Sequence, residues 1–252
     1  MSKSNINDNF FDGFYKQIWK ELIPPELTRK ELDFMVPFFH LQKGDSILDL
    51  MCGHGRHSIG LARMGMQVTA IDNLKDYLDE IDHTAKGEGL DIKTIQQSMQ
   101  DLQPLGEHTL AICMGNSLQF FDPNDLQEIL VNVSESLKPG GHFLINSWSI
   151  AEISLRNFKE KVSSQMGAFQ FSAESTWQIS PSRIEIKSSI VSPDGISEDR
   201  HSIDYIYSLN EMEYLLKAAG LQLKEVYSIP GRKKFTLGDP RAYLIAEKGY
   251  SL

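Results

Sequence analysis

Asp49, the pair Gly53 and Gly55, and Asp72 are the residues whose types and spacing point most directly to chemistry. The first three lie in the run Asp49-Leu50-Met51-Cys52-Gly53-His54-Gly55. Both glycines permit positive φ and let a ligand lie against bare backbone, and a helix starting just after them presents unpaired N–H groups to an anion. Two glycines also make an ordinary tight turn with no ligand. Asp49 separates the readings, because a carboxylate entering the loop repels a pyrophosphate yet complements a cation, such as a sulfonium carrying an α-amino group. Asp72 lies at a spacing from the loop that suits an acid taking two ribose hydroxyls. It equally fits a cap for a helix beginning at Leu74.

These residues need a strand before each of them and a helix after. SILDL ending at Leu50 and QVTAI ending at Ile71 read as strands, with a helix from about His57 to Met64 and another from Leu74 to Lys86. Strands at Ile92 to Gln96, Leu110 to Met114 and His142 to Asn146 follow, with a helix from Asp125 to Leu137 stopped by Pro139-Gly140-Gly141. This alternation predicts an α/β fold: a Rossmann-like, mostly parallel seven-stranded sheet with helices on both faces. From Phe169 to Tyr207 the pattern alternates with period two, broken by Ser180-Pro181 and Pro193-Asp194-Gly195, and predicts an antiparallel insertion after the fifth strand. A helix from Asn210 to Ala219 and strands from Leu221 to Ser228 and Ala242 to Ala246 complete the sheet. Before all this, Phe10, Phe11, Phe14, Ile18, Trp19 and Leu22 recur at a helical period up to Pro24-Pro25, and a second helix is expected from the Thr28 cap towards His40, with Pro37 allowing a kink or break. The expectation is one domain over 1–252, with a helical cover at 1–43, a core at 44–148 and 209–252, and a lid at 149–208.

Composition narrows the partners. A net charge of -9 disfavours a nucleic-acid substrate, and the short basic run from Arg232 to Lys234 reads as a solvated loop. Cys52 and Cys113 are the two cysteines, without the paired spacing of a zinc site, so no metal is expected. The opening stretch lacks an apolar run of signal-peptide length and no window approaches a membrane span, which makes the cytoplasm the default location.

The stretch ILDLMCGHGRHSIGLARMGMQVTAIDN resembles the first two motifs of class I S-adenosylmethionine-dependent methyltransferases, particularly small-molecule members whose loop reads DxxCGxGRH. The similarity extends through SMQDL, CMGNSLQFF, LKPGGHFLI and LLKAAGL to AYLIAEK. The resemblance implies S-adenosyl-L-methionine as cofactor and S-adenosyl-L-homocysteine as product. It places Asp49, Met51, Gly53 and Gly55 along the methionine half, Asp72 with Asn73 at the ribose, Ser98 and Met99 beside the adenine, and Met114 and Asn116 closing the pocket. Two positions depart from the family: Met51 stands where glycine is common, and Ser98 where an acid is common. The aromatic run FFDGFYKQIW is similar to a helix that folds over the cofactor, with Tyr15 and Trp19 over the methionine end and Arg56 near its carboxylate. Core packing for the two aromatics and a surface ion pair for Arg56 fit the same residues.

Methyl transfer from a sulfonium is an in-line displacement that needs alignment and exclusion of water, and it requires no universal catalytic residue. His54, His57 and Tyr15 are the candidates for a general base, although a histidine beside a glycine turn also serves structure alone. A small-molecule acceptor, methylated on N or O, is expected between the exit of the fifth strand and the insertion, lined by Trp148, Trp177, Tyr207 and Arg241. Period-two alternation also makes Tyr205 or Tyr207 ordinary core, and a salt bridge would equally explain Arg241. The insertion is expected to serve as a lid or to pair two chains as a homodimer. Two other functions remain open: a non-catalytic protein that binds the cofactor or its product as a regulatory ligand, and an NAD-dependent oxidoreductase. The second is disfavoured because Gly53, Gly55 and Ser58 do not complete GxGxxG.

Overall fold

A computed structural model describes residues 5–249. The first four residues of the expected cover and the last three of the expected core lie outside the described residues. Five parallel strands, β1 (Ser46–Leu50), β2 (Gln67–Asp72), β3 (Ile92–Gln96), β4 (His108–Cys113) and β5 (Leu137–Ser147), lie in the order β3-β2-β1-β4-β5. Beyond β5 the sheet continues antiparallel through β12 (Ala242–Lys248) and β10 (Leu221–Ile229) to β11 (Lys233–Lys234). The sheet therefore has eight strands, not the expected seven. The extra one is the basic run read as a loop, which turns back at Gly231 and pairs with β10 in a two-residue ladder too short to leave a periodic signal.

Period-two alternation in the central strands feeds two separate cores. Leu48 and Leu50 of β1 face one way, with Leu126, Ile129, Leu130 and Val133 of α5 (Pro123–Glu135) and Met212 and Leu216 of α7 (Leu209–Ala218). Ile47 faces the other way, against Leu32 and Met35 of α2 (Pro25–Phe38), Leu61 of α3 (Arg56–Arg63) and Ile81 of α4 (Lys75–Glu88). Each fully buried aliphatic side chain contributes about 2 kcal/mol, and these two layers fix where the ends of β1 and β2 stand. The strand order reverses between β1 and β4, so the crevice at their carboxyl ends is where a ligand fits.

The second helix begins at Pro25, not after Thr28. Proline at the first helical position has its φ already set, while the Thr28 hydroxyl accepts a hydrogen bond from Arg56 instead of capping. Pro37 falls in the last turn, where it ends the helix, the break of the two outcomes expected.

The insertion starts earlier than its pattern shows. After a seven-residue helix, α6 (Ala151–Asn157), the strand β6 (Lys161–Met166) precedes β7 (Phe169–Gln178), β8 (Arg183–Val191) and β9 (Ser197–Tyr205) in one antiparallel meander. The sequence KVSSQM of β6 is largely polar and mostly exposed, so it carries no alternation to read.

The first helix, α1 (Gly13–Leu22), packs Ile18 against Phe169 and Ile190 of the insertion. The segment before it pins the insertion to the core. Asn7 exchanges hydrogen bonds with the Ile203 backbone, Asn5 donates to the Phe120 carbonyl, Asn73 donates to the Asp8 carbonyl, and Tyr77 donates to the Phe11 carbonyl. Among the described residues, no helix is long and apolar enough to cross a membrane, and no cluster of side chains suits a metal ion.

Candidate functional site

The crevice at the ends of β1 and β4 is a cleft roofed by α1 and the segment before it. Asp49 leaves β1 at its floor, buried, with one carboxylate oxygen accepting from the Ser58 hydroxyl at 2.6 Å. Burial raises its pKa, and His57, Ser58 and Arg56 oppose that shift. Met51 follows with φ +50, so the backbone keeps the left-handed turn that glycine favours, at a cost of about 1 kcal/mol. Gly53 has φ +54, and a Cβ there would meet nothing within 4 Å. Its N–H donates to Asp72 Oδ2 at 2.9 Å.

Asp72 is buried at the end of β2, and its Oδ1 accepts from the Leu74 N–H at 2.9 Å. It therefore braces two loops while lining the cleft. Each carboxylate oxygen accepts up to two hydrogen bonds, which leaves acceptor capacity for a ligand hydroxyl. Burial raises this carboxyl's pKa, the hydrogen bonds from Leu74 and Gly53 lower it, and the nearby Asp49 charge raises it further.

Trp19, Arg56, Asn73, Ser98, Met99 and Met114 also line the cleft, as does His54. Three expected contacts lie elsewhere. Gly55 turns the chain at φ +74, but its bare face looks onto Ile81, where a Cβ would fall 2.5 Å from the side chain. Gly55 thus admits close packing of α3 on α4 rather than a ligand. Replacing it with alanine is expected to cost about 2 kcal/mol in a urea melt. At Gly53, alanine meets open space, so a cost of about 1 kcal/mol should come with weaker ligand binding. Equal melts and equal ligand affinities for the two variants would refute this division.

Asn116 is the second displaced residue. Its Oδ1 accepts from the Ser147 hydroxyl and from the N–H groups of Trp148 and Ser149, and its Nδ2 donates to Ser149. It ties the end of β4 to the end of β5 from behind the cleft wall. Tyr15 is the third, packed behind Trp19 among Phe10 and Phe11 with its ring stacked on the indole at 6.1 Å. Burial and the Asp204 charge raise its phenol, which makes it a poor base.

Arg56 is not a surface pair. With His57 it converges on one buried carboxylate, Glu31 of α2: Arg56 donates to Oε2 at 2.6 Å, His57 Nε2 meets the same atom at 2.9 Å, and Tyr243 donates to Oε1 at 2.8 Å. Burial opposes ionisation of Glu31, but the His57 hydrogen bond and the His57 and Arg56 charges hold it down to about 2. His57 is thereby engaged in structure. His54 has its pKa lowered to about 4 by burial and by the Lys20 and Arg56 charges, so it is neutral near pH 7 and a weak base.

Of the expected acceptor-site residues, Trp148 and Arg241 come together, the guanidinium 5.3 Å over the indole ring. Trp177 stands apart, edge-on to Phe158 at 5.4 Å. Tyr207 is core, 5% exposed, and its hydroxyl is taken by the Phe121 carbonyl at 2.7 Å. Sequence reasoning missed Phe11, Tyr77 and Phe120 in the cleft wall, and Glu31 beneath it. A glutamate on an amphipathic helix reads as a solvated face, and nothing in the sequence near Glu31 indicates the three partners that meet it.

Residues 47–141 match the family model described as a methyltransferase domain. The chain is 27% identical over 146 residues to a glycine/sarcosine N-methyltransferase of Halorhodospira halochloris, covering 56% of this chain and 54% of that one. It is 29% identical over 101 residues to a ubiquinone biosynthesis O-methyltransferase of Rickettsia canadensis, covering 40% and 42%. The chain thus spans about half the length of the curated relatives it matches. In fold it is similar to an S-adenosylmethionine-dependent methyltransferase from Clostridium acetobutylicum, with a TM-score of 0.81 at 20% identity over 96% of this chain and 99% of that one. Residues 47–141 thus match a methyltransferase-domain model, and the chain shares its Rossmann-like fold with an S-adenosylmethionine-dependent methyltransferase.

Proposed function

We propose that the described segments act as one domain that binds S-adenosyl-L-methionine in the cleft and transfers its methyl group to N or O of a small molecule. The observation that carries this reading is the open backbone at Gly53 set between two buried acids, Asp49 and Asp72. That set fits the cofactor by its chemistry. Asp49 suits the cationic methionine end, Asp72 the ribose hydroxyls, and Met99 and Met114 supply apolar surface for a base. The cofactor supplies a methyl on a sulfonium, which passes to an acceptor lone pair as the C–S bond breaks with its electrons left on sulfur.

The chain's own part is to hold and to exclude. Trp19, Phe11 and Tyr77 close the cleft from the N-terminal side and keep water away from the reacting atoms. His54, held below its ordinary value by burial, is a weak base near pH 7, in keeping with a reaction that depends on alignment. The relatives include an N- and an O-methyltransferase, so the accepting atom is left open at this level. The negative charge of the chain supports a small acceptor over a nucleic acid.

Calorimetry is expected to show S-adenosylhomocysteine binding and no NAD binding, since the Asp49 carboxylate repels a pyrophosphate. Binding of NAD in preference would overturn the reading. Binding of S-adenosylhomocysteine without methyl transfer to any acceptor would turn the protein into a sensor of that ligand.

A further inference from the structure

A second depression is lined by Trp148. Its walls also include Ser149, Phe158, Ile184, Asp204 and Arg241. The Trp148 ring rests 5.8 Å from that of Trp19, and Trp19 lines the cleft, so the two compartments adjoin at these two indoles.

Two opposite charges face this depression, and neither is neutralised by the other. Asp204, half-buried on β9, accepts one hydrogen bond from the Ser149 hydroxyl at 3.1 Å. Among the described residues, no cation pairs with it. Arg241, at the entry to β12, lies over the Trp148 ring and beside the Tyr243 hydroxyl, and among the described residues it has no carboxylate partner. Leaving two such groups half-buried and unpaired is costly unless something complements them.

We propose that the acceptor is a small amine that also bears an anionic group, its nitrogen held at Asp204 and its anion at Arg241, and that Asp204 takes the proton the nitrogen must lose. This rests on the methyltransferase reading above and names its acceptor. An ammonium group gains from the carboxylate and from the faces of Trp148 and Trp19. The guanidinium takes a carboxylate or similar anion in a fork geometry.

A nitrogen acceptor must shed one proton before it can attack, and Asp204 is the carboxylate placed to take it. Burial lifts the Asp204 carboxyl to about 6, with the Ser149 hydrogen bond opposing. An alkylammonium titrates at about 10, as a lysine side chain does, so proton transfer to Asp204 is uphill and is drawn forward by the methylation that consumes the free amine. The ammonium and the carboxylate become a neutral amine and a neutral acid. The freed lone pair forms the N–C bond as the C–S bond breaks onto sulfur, and water reaching the half-buried Asp204 carries its proton off. The other titratable groups facing it are Tyr15 from α1, Arg241 before β12, and Lys159 at the rim ahead of β6.

The test uses the full chain. S-adenosylhomocysteine binding is measured first, then methyl transfer to glycine, β-alanine and γ-aminobutyrate, to methylamine, ethylamine and propylamine as matched simple amines, and to catechol. At least one amino acid is expected to react, with kcat/KM about tenfold above its matched amine. D204N should lower kcat about 100-fold and abolish the rise of rate with pH through about 6, with S-adenosylhomocysteine affinity unchanged. R241M should raise KM for the amino acid about tenfold and leave kcat and the simple amine unaffected. Product binding with turnover of catechol alone, or of none of the amines, overturns the proposal. So does a D204N variant with unchanged kcat and pH profile. Failure of the wild type to bind S-adenosylhomocysteine would instead remove the cofactor reading, and this proposal with it.

Discussion

Replacing Glu31 with alanine is expected to destabilise the protein by about 3–5 kcal/mol, the range for removing one member of a buried charged network. Glu31 is 1% exposed, and its two oxygens hold Arg56, His57 and Tyr243. Without it, a guanidinium and a phenol lose their shared, buried partner. The loss also reaches the site, because Arg56 and His57 begin the helix that follows the Gly53 loop. Glu31→Gln keeps the shape and removes the charge, so a smaller loss is expected. Since the folded carboxyl lies near 2 against an ordinary 4.5, its contribution is complete above the ordinary value and fades as pH falls towards 2. The gap in urea midpoint between wild type and Glu31→Gln should therefore stay constant from neutrality down to about pH 5 and narrow below it. Asp49 and Asp72 act in the opposite sense, because burial raises both, so wild type alone would show a blend. A midpoint for Glu31→Ala equal to wild type would show that the network is not a stabilising one.

What could be read from the sequence divides along a physical line. Elements with a strong period were legible: SILDL, QVTAI and the helices after them fall within a residue or two of their observed ends. Elements held by partners distant in sequence were not. The strand β6 has no alternation of its own and exists because β7 offers it a ladder, and β11 exists because the chain reverses beside β10. The same holds for the cleft. Asp49, Gly53 and Asp72 carry a signal in their spacing, and they converge as expected. Gly55, Asn116 and Tyr207 match the pattern equally well but serve packing and backbone hydrogen bonds, which only tertiary partners reveal. Asp204 lay in an alternating strand where its neighbours drew attention, and its position became meaningful once Ser149 and Trp148 were seen around it.

Asp72→Ala is expected to weaken S-adenosylhomocysteine binding by about 30- to 100-fold, roughly 2 to 2.7 kcal/mol. Two hydroxyl hydrogen bonds to one carboxylate would be worth more than this if fully desolvated, and the brace between Gly53 and Leu74 is lost at the same time. The two contributions separate by substitution. Asp72→Asn retains an acceptor oxygen for one of the two backbone N–H groups and gives up the charge, so its stability should fall between wild type and alanine while its affinity falls almost as far as that of alanine. Asp72→Ala should in addition lower the urea midpoint by the equivalent of about 1–2 kcal/mol, because the Gly53 N–H loses its partner. Adenosine alone should bind more weakly to both variants, since its ribose meets the same carboxylate, whereas methionine alone should not distinguish them. Unchanged affinity in Asp72→Ala would remove the ribose from the end of β2 and confine this residue to holding the loop.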